Sequence, residues 1–135
     1  MKEWESAYLA GILDGEGSIT LTRMHKNENR RPCISISSND IEMLDYIRSI
    51  AGGNIYPKKN YNPKKHQDSF TLYFKKKSEV FNILRKTRYF LRVEKKRKRA
   101  NWILDYYNSV TPRNGKYSKE LSNKKLLFEE EFFRL

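Results

Sequence analysis

Asp14 and Glu16, set in Asp14-Gly15-Glu16-Gly17, are the pair in this chain best suited to chemistry. Carboxylates are hard oxygen donors of the kind that hold Mg2+ or Ca2+, and backbone carbonyls released at a helix end add more. The residues before them have helical spacing, so both acids fall at a helix C-terminus, where the macrodipole is negative and a carboxylate is disfavoured. A cation at that point removes the conflict. Taken alone, Asp-Gly-x-Gly also reads as a helix stop and a turn. The remaining ligand types are scattered: His25 and His66 stand alone in polar loops, without zinc-ligand spacing to Cys33.

The helix that must position these acids runs through Trp4 to Leu13. It sets Ala7, Gly11 and Gly15 at i, i+4 and i+8, one stripe of minimal side chains. Trp4, Tyr8, Leu9, Ile12 and Leu13 fall mostly to the other side and are expected to face a core. A glycine inside a helix costs about 1 kcal/mol against alanine. Two of them on one stripe point to close approach of a second backbone, as in small-residue helix seams.

Lys and Arg number 28 against 16 Asp and Glu, a net charge of +12. Such an excess points first to nucleic acid, then to an anionic membrane surface or to solubility alone. With 135 residues and 38% hydrophobic content, the chain is expected to be a single domain, 1–135, with a real core. No run is long enough to cross a bilayer, so no membrane partner is expected. One cysteine, Cys33, excludes an internal disulfide and fits an intracellular reducing compartment.

Along the chain, Ser18–Met24 alternates, with Ile19 and Leu21 on one face and Thr20, Thr22 and Met24 on the other. After a polar turn, Arg31–Ser37 points Ile34 and Ile36 one way and Arg31, Cys33, Ser35 and Ser37 the other. The two runs read as a hairpin. Its Ser, Thr and Arg side chains are groups that donate to and accept from base edges in a groove, although an ordinary wet sheet face alternates in the same way. Ser38-Asn39-Asp40 is expected to cap a helix with Ile41, Leu44 and Ile47 inward, closed by Gly52-Gly53. A second hairpin, Asn54–Lys59 with Ser69–Phe74, sets Phe70, Leu72 and Phe74 against Ser69, Thr71, Tyr73 and Lys75, with Tyr56 and Lys58 on its first strand. Its lysines suit phosphates, which supply affinity rather than sequence preference.

Ser78 is expected to cap a helix reaching Tyr89, and a further helix spans Arg97–Ser109. Between them Lys95–Arg99 is the densest positive run, and five adjacent bases repel one another unless anions are near. A last amphipathic helix carries Leu121, Leu126, Leu127, Phe132 and Phe133, with Glu129–Glu131 turned to water. The order helix, hairpin, helix, hairpin, helices describes an α+β domain: a four-stranded antiparallel sheet with helices on one face and the other bare.

The run Leu9–Gly17 resembles the signature of the LAGLIDADG homing endonucleases. Leu9, Ala10, Gly11, Asp14 and Gly17 fall on the pattern, Ile12 and Leu13 are aliphatic exchanges, and Gly15 replaces alanine. Glu16 stands where the family's metal-binding acid is usually Asp. The resemblance extends in order and pattern over about residues 4–110. It implies an αββαββα domain with a saddle-shaped sheet, working through two signature helices side by side. One motif and no internal repeat then imply a twofold homodimer packed through Ala7, Gly11, Asp14 and Gly15.

The same resemblance implies Mg2+ held by Glu16 of each chain with the carbonyl of Gly15, and a lysine beside the scissile phosphate, Lys96 or alternatively Lys98. Where the family commonly has a water-positioning glutamine, this chain has Ser38 or Asn39. Lys95 and Lys98 join the polar sheet residues as the implied DNA surface. The function implied is a site-specific endonuclease cutting double-stranded DNA at a long pseudo-palindromic target. The alternative is a binding module of the same fold: a maturase whose partner is host intron RNA, or a DNA-binding protein without cleavage.

Overall fold

A computed structural model describes residues 1–135 throughout. The elements are α1 (Glu3–Glu16), β1 (Gly17–Thr22), β2 (Arg31–Ser38), α2 (Ile41–Ala51), β3 (Asn54–Pro57), β4 (Phe70–Phe74), α3 (Lys77–Thr87), α4 (Glu94–Tyr106) and α5 (Lys119–Arg134), with a 3-10 turn at Asn108–Val110. The strands form one antiparallel sheet in the order β1-β2-β4-β3. Each hairpin supplies one edge and one central strand, and β2 meets β4 with Ile34 opposite Phe74 and Ile36 opposite Leu72. This is the expected αββαββα order, continued by α4 and α5.

Alternation in the strands decides which face is covered. Ile19, Leu21, Ile34, Ile36, Leu72 and Phe74 are buried on a single face. All of the first four helices pack against strands, α1 on β1 and β2, α2 on β2, β3 and β4, α3 on β2, and α4 on β1. Leu9, Ala10 and Leu13 of α1 join Val80, Ile83, Leu84, Ala100 and Ile103 in one core. Full burial of a Leu or Ile is worth roughly 1.5–3 kcal/mol, so the signature helix is held to the sheet by ordinary apolar packing. Thr20, Thr22, Ser35, Ser37 and Tyr73 remain half-buried on the other face. Between α2 and β3, Gly53 has φ +88, and a Cβ there would lie 2.8 Å from the Tyr73 carbonyl oxygen, so only glycine fits.

Several expectations give way to packing. Trp4 and Tyr8 are 59% and 41% exposed rather than in the core. At 100° per residue they share a face with Ala7, Gly11 and Gly15, while Ser6, Leu9, Ala10 and Leu13 lie opposite and buried. Ile41, first in α2, is exposed, and Ser38 caps no helix; its Oγ accepts from the Asp40 amide at 3.0 Å. Helix α3 starts at Lys77 without a Ser78 cap, and α4 starts at Glu94, three residues before Arg97. In α5 the buried residues are Lys125, Phe128, Glu129 and Phe132, whereas Leu126, Leu127 and Phe133 are exposed. Glu129 therefore does not face water; it lies 3.4 Å from Arg30. Long-range polar partners rotate this helix away from its most apolar face: Lys125 Nζ donates to Thr111 Oγ1 at 2.6 Å and sits 4.0 Å from the Tyr107 ring centre.

Candidate active site and polar sheet face

Helix α1 passes into β1 with no intervening loop. A Cβ at Gly17 would lie 2.7 Å from the Leu13 Cα, so the junction requires a residue without a side chain. Asp14, one turn earlier, faces the start of α4: its carboxylate accepts the amides of Arg92 at 2.8 Å and Val93 at 3.0 Å. These are amide hydrogens of the kind a helix start leaves without partners. In return, Lys96 Nζ donates to the carbonyls of Leu13 at 2.7 Å and Asp14 at 2.8 Å, placing a cation at the negative end of α1.

Glu16 is thus the exposed acid at the end of α1. No three His, Cys, Asp or Glu side chains cluster anywhere in the chain. The Glu16 carboxylate suits a hard divalent ion in kind, but one carboxylate per chain is too few for a protein-built site without a second chain, substrate oxygens or water. Lys96 is half-buried at this helix end, with its ammonium engaged on two carbonyls, and Lys95 and Lys98 are exposed on α4. Lys98 pairs with Glu94 at 2.7 Å.

Ala7, Gly11 and Gly15 lie on an open face. A Cβ built at Gly11 or Gly15 meets nothing within 4 Å. No intramolecular contact therefore requires glycine at either position. At the end of β2, Asn39 Nδ2 donates to Gln67 Oε1 at 2.8 Å. Gln67 comes from the β3–β4 loop, and Gly17 pairs with Ile36 close by, so a glutamine reaches this end of the sheet from a segment distant in sequence. Nothing local in the sequence marks it.

The polar face holds most of the residues expected on it. Thr20, Thr22, Ser35, Ser37, Ser69 and Tyr73 are half-buried, and Arg31, Met24, Tyr56, Lys58 and Lys75 are exposed. β1 stops at Thr22 and β3 at Pro57, so Met24 and Lys58 lie just past the strand ends, as Lys75 does after β4. Cys33 and Thr71 are corrections. Each is 4% exposed and inaccessible to a groove. They stand mid-sheet among side chains of flanking strands: Cys33 lies opposite Thr20, and Thr71 bonds Ser37 Oγ at 2.9 Å across from Tyr56. Burial pushes the Cys33 thiol pKa up, against the pull of Lys75.

No protein-family model matches the chain. It is 27% identical over 107 residues to the intron-encoded DNA endonuclease ai2b of Dictyostelium discoideum, a match spanning 79% of this chain and 40% of that protein's length. Among solved structures, the homing endonuclease I-CvuI in complex with its target superposes with a TM-score of 0.74 at 17% identity, covering 97% of this chain and 81% of that one. The LAGLIDADG homing endonuclease I-GzeII, solved with its DNA target, gives 0.65 at 18% identity over 98% of this chain and 42% of that one. This chain has the LAGLIDADG homing endonuclease fold. The homing endonuclease I-TnaI agrees, with a TM-score of 0.62 at 24% identity over 97% of this chain and 87% of its own. The likeness in fold therefore runs past residue 110, where the resemblance in sequence pattern ends, and takes in α5.

Proposed function

We propose that two copies of this chain form a metal-dependent endonuclease that cuts double-stranded DNA at a long, near-palindromic site. The observation that carries the reading is the exposed Glu16 at the end of a helix whose Gly11 and Gly15 face open space. Packing that face against its twofold copy brings the two Glu16 carboxylates together, which supplies what a single chain lacks.

A divalent ion, Mg2+ in this proposal, would be held by Glu16 with the Gly15 carbonyl and would supply water activation and charge neutralisation at the scissile phosphate. The protein's own groups do the rest. Asp14 and Lys96 hold the end of α1 against α4, so Glu16 is offered from a rigid support. Thr20, Thr22, Ser35 and Ser37 present short hydrogen-bonding groups to base edges. Lys58 and Lys75 at the strand ends, with Lys95 and Lys98 on α4, supply positive charge to phosphates. The net charge of +12 fits such a partner.

Cleavage selection from a randomised duplex library with Mg2+ tests this. The wild-type chain should return near-palindromic cut sites, and Glu16→Gln should bind the same duplexes without cutting them. Equal loss of binding and cutting in Glu16→Gln would remove the metal assignment. Binding of structured intron RNA with no DNA cut would replace the nuclease with a maturase.

A further inference from the structure

At the end of the sheet farthest from Glu16, between the β1–β2 turn and the helices, lies a cleft of about 570 Å3. Its walls are the β1–β2 turn from Asn27 to Arg31, the start of α3 at Lys77, and the loop from Thr111 to Tyr117. A second recess of about 280 Å3 shares Arg31, Lys77 and Tyr107 with it and is completed by Met24, Pro32, Lys75 and Lys76. Arg30, Arg31, Lys77 and Arg113 bring four cations to the main walls. Two carboxylates oppose them: Glu28, 3.6 Å from Arg31, and the buried Glu129, 3.4 Å from Arg30.

A second feature points the same way. Lys125 lies beneath the cleft floor, 1% exposed, donating to Thr111 and stacked on Tyr107; the buried Glu129 attracts it only from beyond salt-bridge distance and is itself engaged by Arg30, while Lys77 repels it. A buried cation without a direct counter-ion is unfavourable, and an anion above Thr111 and Tyr107 would offset it. Arginine forks also match the paired oxygens of a phosphate.

We propose that this cleft anchors a backbone phosphate of duplex DNA at the outer edge of the bound site. β2 runs from Arg31 at the cleft to Ser38 near the end of α1, a rise of roughly 23 Å at about 3.3 Å per residue. At 3.4 Å per base pair that is about seven base pairs out from the end of α1. The anchor touches no base, so it adds affinity and footprint without sequence preference. This inference rests on the duplex-binding reading above. The same phosphate chemistry could come from a free phosphate or from the DNA backbone, and the anchor commits to the backbone.

Lys77→Gln/Arg113→Gln tests it, with both changes outside the sheet and the α1 end. Binding of a mixed-sequence duplex and an alternating A·T duplex is titrated over a series of salt concentrations, with inorganic phosphate as competitor in a parallel arm. The anchor predicts about tenfold weaker binding at low salt, equal for both duplexes, and a log–log salt slope shallower by at least about one. Lys77→Arg/Arg113→Lys, which keeps the charges, should restore both and guards against a folding defect. Unchanged slope and affinity in a wild type that binds duplex would overturn the anchor and leave the nuclease reading standing. A loss confined to one sequence would make it a base contact. Thermal stabilisation by inorganic phosphate with duplex binding unaffected would make it a small-anion site, and failure of the wild type to bind any duplex would remove both readings.

Discussion

Asp14 and Lys96 hold each other's helices by exchange. The Asp14 carboxylate receives the amides of Arg92 and Val93, while the Lys96 ammonium reaches back to the Asp14 carbonyl at 2.8 Å. The end of α1 and the beginning of α4 are thereby one structural unit, and Glu16 sits on its edge.

Removing either half should loosen that unit. Asp14→Ala returns two exposed amides at the start of α4 to water and should lower unfolding free energy by about 0.5–2 kcal/mol in urea denaturation. Lys96→Met should do the same by a similar amount and also reduce cleavage. A Lys96→Met protein as stable as wild type but unable to cut would mean that the ammonium serves the phosphate rather than the helix end.

Lys125 gives the fold a dependence on pH. Burial holds its folded pKa at about 8, below its ordinary value of 10.5. A depressed lysine pKa means that the unfolded chain binds the extra proton between these values, so stability rises with pH through that window. Against Lys125→Met, whose side chain does not titrate, the wild type should gain stability from about pH 8 to about pH 10.5, by about 3 kcal/mol at most. Parallel stability curves for the two proteins would show that Lys125 is not desolvated.

Cys33, 4% exposed with its thiol pKa raised by burial, should resist alkylation in the native protein and react promptly once urea unfolds it. Fast labelling of the folded chain would place it back on the open face.

Local pattern carried most of the fold. Alternation of Ile19 with Leu21, and of Ile34 with Ile36, marks both strands and the covered face, and the signature run locates α1 and its acids. What escaped depends on partners far along the chain. Trp4 and Tyr8 are large and apolar, which suggests a core, but their angular position puts them beside the glycine stripe. Lys125 and Glu129 look like surface charges until Thr111 and Arg30 come to meet them. Cys33 and Thr71 have the parity of an open face yet lie too deep among neighbouring strands to be reached. Gln67 meets Asn39 at the end of β2 across a separation of 28 residues, which no local pattern marks.

Sedimentation of wild type and Gly11→Leu, with duplex DNA and Mg2+ present, addresses the two-chain centre directly. Within one chain a Cβ at this position meets nothing within 4 Å, and replacing a helical glycine should raise thermal stability slightly, by up to about 1 kcal/mol. The account predicts two wild-type chains of 16.2 kDa on each duplex and a Gly11→Leu protein that is folded, monomeric and inactive. A wild type that stays monomeric on DNA, or a Gly11→Leu dimer that still cuts, would contradict it.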